Sequence, residues 1–236
     1  MSAKTQRLDF LAAISGVMIA IQARANGELA HLTGNGIEAA LVSFGSGLII
    51  ISVIALFSRT IKEGVKKLKV AVKRKEIPTW TLFAGTLGGS FVAVQTHIVP
   101  LIGVAIYSVA SIAGQTAASL LVDRIGLTGG GKKHITPRRI GAAFFTVFAV
   151  LISVLDRIDA KNLSLIAVAL GCLAGAIVGV QRALNGQINE SSEQSFTTSL
   201  LNFIMGTAFL LLLTAILIPT GHYEFQTLPA WPIWIY

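Results

Sequence analysis

Long apolar runs alternate with short polar connections along the whole chain. A bilayer core about 30 Å thick needs about 20 apolar residues per helix, because each residue rises about 1.5 Å. Runs of that kind occupy residues 8–30, 37–57, 80–99, 101–122, 140–155, 163–184 and 196–218, and an eighth begins near Pro229. The pattern predicts an all-α fold, a polytopic bundle of transmembrane helices.

Glycine and proline mark the connections between these runs. Gly34-Asn35-Gly36 separates the first two runs, and Pro100 predicts a tight hairpin between the third and the fourth. Three consecutive glycines at positions 129–131 loosen the connection that precedes the fifth run.

Charge is scarce and unevenly placed. Hydrophobic residues make up 53% of the chain and charged residues 13%, whereas a soluble domain carries roughly 25% charged residues. Of the 19 Lys and Arg residues, eight lie in residues 59–76 and five in residues 124–139. Such an excess marks cytoplasmic loops. It predicts a multi-pass protein of the cytoplasmic (plasma) membrane with its amino terminus inside and residues 156–161 and 221–227 outside. No aromatic residues are interleaved with the basic ones, so nucleic acid is not an expected partner.

An internal repeat relates the two ends of the chain. A shift of 159 residues, without a gap, aligns the first two spans with the sixth and seventh. The matched pairs are Gly16 with Gly175, Gln22 with Gln181, Asn26 with Asn185, Gly27 with Gly186, Ser43 with Asn202, Phe44 with Phe203 and Gly47 with Gly206. Because an odd number of spans separates the copies, the second copy crosses the membrane in the opposite direction. We expect inverted repeats, residues 1–158 forming a five-span repeat and residues 159–236 an incomplete second one, a plan common in secondary transporters.

Small residues recur at every fourth position on three spans. This spacing places them on one helix face, where small side chains let helix backbones approach closely in lipid. The three stripes are Ala12, Gly16 and Ala20, then Ala110, Gly114 and Ala118, and finally Gly171, Gly175 and Gly179. We expect each stripe to serve helix packing rather than contact with a substrate.

Uncharged amides are the candidates for function inside the spans. They are Gln22, Asn26, Gln95, Gln115, Gln181, Asn185 and Asn202. An amide in hydrocarbon is costly unless it is hydrogen-bonded, so each should face the bundle interior or a wet cavity. Either they hold helices together, through hydrogen bonds worth about 0.6–2 kcal/mol each, or they line a polar substrate cavity. Both interpretations remain open at this stage.

Residue sets that would indicate an enzyme are missing from the sequence. There is no glycine-rich phosphate loop, no nucleophile elbow and no His pair with metal-binding spacing. A single cysteine, Cys172, excludes an internal disulfide. We therefore expect no enzymatic activity, no metal and no cofactor. No Asp or Glu lies in the middle of a span, so the sequence gives no sign of a coupling ion.

Several motifs resemble the YdcZ-type family of the drug/metabolite transporter superfamily. They are Gln22-x3-Asn26-Gly27, Ser43-Phe44-x2-Gly47, Gly88-Gly89, Pro100-x2-Gly103-Val104-Ala105, and Ala113-Gly114-Gln115 running to Asp123-Arg124-Ile125-Gly126-Leu127. The resemblance covers most of the chain. It implies an all-helical fold of five-span units, paired as short proteins or fused into ten spans, that exports or exchanges small solutes.

The end of the chain repeats the start of the third span. Leu228-Pro229-Ala230-Trp231 resembles Ile77-Pro78-Thr79-Trp80, and counterparts of the later motifs do not follow, so we expect the second repeat to be truncated. The predicted function is transport of a small solute through a cavity between inverted repeats. The alternative is a non-transporting membrane subunit or scaffold. The expected partners are the lipid bilayer and an unidentified small-molecule substrate, and a homodimer is left open.

Overall fold

The computed structural model describes residues 3–128, 131–132, 134–155, 165–220, 224, 227–228 and 230. All regular structure in these residues is helical. The helices are α1 (Ala3–Thr33), α2 (Gly36–Phe57), α3 (Arg59–Lys73), α4 (Ala84–Ile125), α5 (Pro137–Leu155), α6 (Leu165–Ser192) and α7 (Ser195–Leu217), with short 3-10 turns at Thr79–Phe83 and Ile218–Thr220. The prediction of an all-α fold is confirmed.

Five helical stretches among the described residues are long and apolar enough to cross a membrane. They are Gln6–Thr33, Gly36–Phe57, Thr79–Ile125, Leu165–Ser192 and Ser195–Thr220. The third holds 47 residues, about twice the length that one crossing needs. The predicted fifth span lies within α5, which has 19 residues. The prediction of a polytopic membrane protein is confirmed; apart from residue 230, the run that begins near Pro229 lies outside the described residues.

The α4 helix is a hairpin of two arms. Its helical geometry breaks at Gly103, with φ 80° and ψ 156°, a backbone conformation that glycine adopts because it has no Cβ. The rings of Phe91 and Tyr107 lie 6.1 Å apart, whereas a straight helix would separate these residues by about 24 Å. The first arm (84–102) and the second arm (104–125) therefore lie side by side. The turn predicted at Pro100 lies at Gly103, since only glycine tolerates that positive φ.

The main apolar core lies between the α4 hairpin and α6. Ile98, Tyr107 and Ala110 from the two arms of α4 are buried together with Ala167 of α6. The first part of α1 has no such cover, since residues 6–22 are all exposed. Met18, for example, is 60% exposed. An apolar surface of this extent is expected where a helix contacts hydrocarbon or another transmembrane helix.

The α3 helix occupies a segment that the charge pattern assigned only to a basic loop. The Ser58 hydroxyl accepts a hydrogen bond from the backbone N–H of Ile61 at 3.3 Å and caps the first turn. Ile61, Gly64, Leu68 and Ala71 are buried, and their spacing of three and four residues forms one face of the helix. The helix thus packs this face against the bundle, and its lysines are exposed on the opposite face.

Both basic segments lie at one end of the bundle, called here the basic end. Leu68 of α3 and Leu127, just after α4, pack with Ile188 of α6 in a single apolar cluster. Lys67 forms an ion pair of 2.5 Å with Glu193 in the connection between α6 and α7. The shared position of the two segments agrees with a single cytoplasmic face for both.

The opposite end is built from the α1–α2 turn and the first arm of α4. A Cβ atom placed at Gly36 would lie 3.1 Å from the backbone nitrogen of His97. The Asn35 side chain caps α2 and also donates a hydrogen bond of 3.3 Å to the carbonyl oxygen of Glu224. Glu224, which follows α7 in the chain, therefore lies at this end.

We predict that Lys66 and Lys132, at the basic end, face the cytoplasm. Lys161 and His222, which lie outside the described residues, are predicted to face the exterior. Single cysteines at the four positions, in a Cys172→Ala background, can be probed with a membrane-impermeant maleimide on sealed cells. We expect Lys161→Cys and His222→Cys to react on intact cells and the other two only after permeabilisation. Labelling of Lys66→Cys on intact cells would contradict this topology.

Candidate functional site

The α2 and α7 helices cross near their middles at two phenylalanines and two glycines. The ring centroids of Phe44 and Phe203 lie 5.5 Å apart in an edge-to-face arrangement. A Cβ atom placed at Gly47 would overlap the ring of Phe203, and one at Gly206 would overlap the ring of Phe44. Each ring therefore fills the space that a side chain on the opposite glycine would need.

These two contacts are equivalent under the 159-residue shift. The shift relates Phe44 to Phe203 and Gly47 to Gly206, so the contact of Phe44 with Gly206 has the contact of Phe203 with Gly47 as its counterpart. Reciprocal contacts of this kind are characteristic of two-fold related surfaces. The two helices run antiparallel, because α2 begins beside Asn35 and α7 begins at the basic end.

A polar cavity of about 280 Å³ opens beside this crossing. Gln22, Asn26, Ser43 and Ser46 contribute the polar part of its wall, and Phe203 contributes an aromatic surface. Gln22 is exposed. Ser46 was not among the predicted residues, although it lies one turn beyond Ser43 on the same face of α2, a spacing that could have identified it. The cavity offers a solute amide and hydroxyl groups beside an aromatic ring.

Gln181, the equivalent of Gln22 in the second copy, is covered by neighbouring residues. The Gln181 side chain donates a hydrogen bond of 3.3 Å to the Asn202 amide oxygen, and Gln181 is 8% exposed. The first arm of α4 lies directly over this pair. A Cβ atom at Gly88 would overlap the Gln181 amide, and one at Gly85 would lie 2.5 Å from the Asn202 carbonyl oxygen. Only glycine at these positions lets the α4 backbone approach so closely.

A second amide pair joins α1 to the first arm of α4. The Asn26 side chain donates a hydrogen bond of 3.3 Å to the side-chain oxygen of Gln95, and both residues are buried. At the next residue of α1, a Cβ atom placed at Gly27 would lie 2.5 Å from Val99 Cγ1. Asn26 also lines the cavity, so this pair both joins two helices and borders the polar space.

We predict that Asn26→Leu and Gln95→Leu each lower the free energy of unfolding by about 1–3 kcal/mol, because each leaves a buried amide without its partner. The double variant should lose less than the sum, since it removes both polar groups together. Thermal unfolding in detergent of the two single variants and the double variant checks this. Strictly additive losses would mean that the two amides do not interact.

Two of the predicted amides take no part in these pairs. Gln115 donates a hydrogen bond of 3.1 Å to Ser111 one turn earlier on its own helix. The Asn185 side-chain oxygen is buried and has no hydrogen-bond partner among the described residues. The sequence pattern identified both residues as candidates. It could not predict that Gln115 forms a hydrogen bond within its own helix, or that the Asn185 oxygen has no hydrogen-bond partner among the described residues.

The small-residue stripes of α4 and α6 face each other. A Cβ atom at Gly175 would overlap the carbonyl oxygen of Ser111, and one at Gly114 would overlap that of Cys172. At the two ends of the contact, Cβ atoms at Gly171 and Gly179 would lie 3.3 and 3.0 Å from the Cβ atoms of Ala110 and Ala118. The stripe of Ala12, Gly16 and Ala20 on α1 is exposed instead.

Two further features lie at the ends of the bundle. At the basic end, Asp123 pairs with Arg139 of α5, so its buried carboxylate joins the second arm of α4 to α5. At the opposite end, a cavity of about 430 Å³ is bordered by Asn35, His97 and Leu213. Its walls come from the α1–α2 turn, the first arm of α4, α6 and α7, elements of both copies.

Comparison with known proteins gives one assignment. The family described as "Putative inner membrane exporter, YdcZ" matches residues 8–152 and 166–236, nearly the whole chain. The chain belongs to this family. The family description is that of an inner-membrane exporter of the drug/metabolite transporter type, which is a transporter rather than an enzyme, and the long apolar helices agree with a multi-pass membrane protein. No curated protein and no solved structure gave a match to the chain.

Proposed function

We propose that this YdcZ-family protein exports a small polar solute by alternating access between two inverted repeats. The observation that carries the proposal is the reciprocal contact of Phe44 with Gly206 and of Phe203 with Gly47, next to the cavity that Gln22 and Ser43 line. A two-fold axis that relates two antiparallel helices lies perpendicular to both of them. Because these helices cross the membrane, the axis lies in the membrane plane. Such an axis relates one side of the membrane to the other, as alternating access requires.

The family match supports the repeat independently of these contacts. It falls on two stretches, which begin at positions 8 and 166, and position 8 shifted by 159 residues falls within one residue of 166. The two stretches thus begin at equivalent points of the two copies. The proposed division lies between residues 158 and 159.

The proposed mechanism is based on the different surroundings of the two equivalent glutamines, Gln22 and Gln181. In the state described here, Gln181 is bonded to Asn202 under the first arm of α4, while Gln22 lies open in the cavity. A movement of the first arm of α4 away from Gln181 would open the second copy. Two packings related by the axis would have similar energies, and a solute that binds in the cavity beside Phe203 could bias either one.

The lining of the cavity favours a neutral solute. Every residue that borders it is uncharged, and an unpaired ion would lose its hydration there without gaining a counter-charge. Amide and hydroxyl groups would replace water around polar groups of the solute, and Phe203 would pack against an apolar or planar part. The runner-up is a scaffold, which would use the same amides only to hold helices together.

Transport by the purified protein in liposomes tests the proposal. A panel of radiolabelled or mass-detected neutral metabolites is loaded, and efflux is compared with that of Gln22→Leu and of a matched amide variant, Asn189→Leu, whose side chain is exposed near the end of α6. We expect at least one solute to leave vesicles that hold the unsubstituted protein or Asn189→Leu, but not Gln22→Leu. A folded protein that moves no member of the panel would favour the scaffold.

A further inference from the structure

Three ionisable side chains of α1 border a cavity that the proposed solute path does not use. Arg24, Glu28 and His31 follow each other at intervals of four and three residues, so they share one face of the helix. The cavity has a volume of about 230 Å³, and its other wall is the turn of the α4 hairpin, with Pro100 and Gly103. The α4 residues that border the cavity are uncharged, so its charged groups come from α1.

None of the three side chains has a partner in the described part of the chain. Arg24 and His31 are exposed and Glu28 is partly buried. No ion pair or hydrogen bond joins these side chains to another described residue. Arg24 and Glu28 therefore present a guanidinium and a carboxylate, one helical turn apart, to whatever occupies the cavity. Because a charge that is partly removed from water is costly unless it is paired, a ligand with both charges would stabilise this arrangement.

The cavity lies near one surface of the membrane. Both arms of α4 have their other ends at the basic end, where Ala84 and Leu127 belong to one apolar cluster, so the hairpin turn lies at the opposite end. The α1 helix runs toward that end. Arg24 therefore lies nearer the centre of the bilayer than Glu28, by about 6 Å of helix rise.

Apolar side chains continue the same face of α1 into the membrane. Ile14, Val17 and Ile21 are exposed, and together with the three ionisable side chains they lie within an arc of about 100° around the helix. From Arg24 back to Ile14 the helix spans about 15 Å, which is half of a bilayer core about 30 Å thick. This face thus carries charged groups near the membrane surface and an apolar strip about one leaflet long beneath them.

We propose that this face binds one aminophospholipid, a lipid whose headgroup carries a phosphate and a primary ammonium group. The phosphate is attached next to the acyl chains and so lies deeper, at Arg24, whose guanidinium binds phosphate oxygens through parallel N–H···O bonds. The ammonium ends the headgroup and donates hydrogen bonds to Glu28. The acyl chains lie along Ile21, Val17 and Ile14. Such a lipid matches the α1 face in charge, in depth and in the length of its apolar part.

Native mass spectrometry of the purified full-length protein in a mild detergent measures the binding of a single lipid. The probes are palmitoyl-oleoyl phosphatidylethanolamine, phosphatidylcholine and phosphatidylglycerol, which share their acyl chains and differ in the headgroup. We expect phosphatidylethanolamine to bind about tenfold more tightly, because neither of the others can donate an ammonium N–H to Glu28. Equal binding of the three, or tightest binding of phosphatidylglycerol, would overturn the proposal.

Single substitutions assign the two charges. Glu28→Gln should remove the preference for phosphatidylethanolamine, and Arg24→Gln should weaken the binding of all three lipids about tenfold, because the charge-assisted bonds to phosphate are lost. The matched controls Arg182→Gln and Glu190→Gln remove the same types of exposed side chain from α6 and should change neither quantity. A preference that survives Glu28→Gln, or binding that Arg24→Gln leaves unchanged, would contradict the assignment.

Exchange of the two charges distinguishes a lipid from a free zwitterion. The double variant Arg24→Glu/Glu28→Arg keeps the net charge, but a lipid held by its acyl chains cannot turn its ammonium toward the bilayer centre. We therefore expect the preference for phosphatidylethanolamine to disappear. If the double variant keeps the preference, or if excess soluble phosphoethanolamine displaces the lipid, the site takes a free zwitterion and the proposal of a bound lipid is wrong.

Stability measurements exclude a loss of folding as the cause. Without added lipid, the variants at Arg24 and Glu28 should melt at the temperature of the unsubstituted protein, since neither side chain has a partner in the described chain. Earlier melting would show that these charges hold the fold and would count against the lipid site. None of these measurements requires transport, so their outcome is independent of the proposed function.

Discussion

Replacing Gly175 by leucine should prevent the bundle from folding. A Cβ atom at this position would overlap the backbone carbonyl of Ser111, and a backbone atom in a helix cannot rotate away as a side chain can. Ordinary overpacking of a core costs about 1–3 kcal/mol. Here α4 and α6 would have to separate along much of the main core. We therefore expect a larger loss in the free energy of unfolding, and little monodisperse protein in detergent.

Glycines at equivalent positions provide the matched control. Gly16 is the counterpart of Gly175 in the first copy, yet a Cβ there meets nothing within 4 Å, so Gly16→Leu should leave the yield and the melting temperature nearly unchanged. Gly171→Ala should have an intermediate effect, because the nearest atoms to its Cβ would be side-chain atoms, Ala110 Cβ at 3.3 Å and the Tyr107 ring at 3.6 Å. Size-exclusion profiles and melting temperatures of the three variants check the order. Equal behaviour of Gly175→Leu and Gly16→Leu would contradict the α4–α6 contact.

The crossings and the two basic segments could be predicted because they depend on local properties of the sequence. Span length follows from the bilayer thickness, and the position of Lys and Arg fixes which segments share a membrane face. The hairpin was also legible, since Pro100-x2-Gly103 carries both a helix breaker and a residue that accepts a positive φ. Its turn lies at Gly103, because glycine can adopt the conformation and proline, with φ near −65°, cannot.

The α3 helix was missed because its charge count dominated the interpretation. Eight basic residues in residues 59–76 indicated a loop, but the signals for a helix were also present. Ser58 is a favourable N-cap residue, and Ile61, Leu68 and Ala71 recur at helical spacing. A loop that is both basic and periodic is better interpreted as an amphipathic helix that lies against the end of the bundle.

Which residues meet could not be predicted from one sequence. The amides Asn26 and Gln95 lie 69 residues apart in the chain, and spacing carries no information on contacts at that distance. The three small-residue stripes are similar as sequence patterns, yet only those of α4 and α6 face each other. The surroundings of α1 and α6 differ because α4 packs along the glycine stripe of α6, whereas it meets α1 at Asn26 and Gly27 and leaves residues 6–22 exposed; that arrangement depends on the tertiary fold.

The strongest functional prediction concerns the two equivalent glutamines. Gln22→Leu should abolish transport while leaving the melting temperature unchanged, because Gln22 is exposed in the cavity and its loss strands no buried protein group. Gln181→Leu should also abolish transport if the two copies exchange conformations. It should in addition lower stability, since the Asn202 amide oxygen would lose its donor, at a cost of about 1–3 kcal/mol.

The contrast between the two variants separates a cavity from structural hydrogen bonding. Melting temperature in detergent and efflux from liposomes are measured for both, with Gly171→Ala as the packing control and Asn189→Leu as the matched amide control. If Gln22→Leu melts as early as the packing control, the glutamine holds the fold and the cavity interpretation is wrong. If either glutamine variant transports as well as Asn189→Leu, that glutamine is not part of the solute path. Loss of transport in both variants, with lowered stability only in Gln181→Leu, is the result that alternating access through a shared polar layer requires, because each glutamine must face the solute in one state while only Gln181 is bonded in this one.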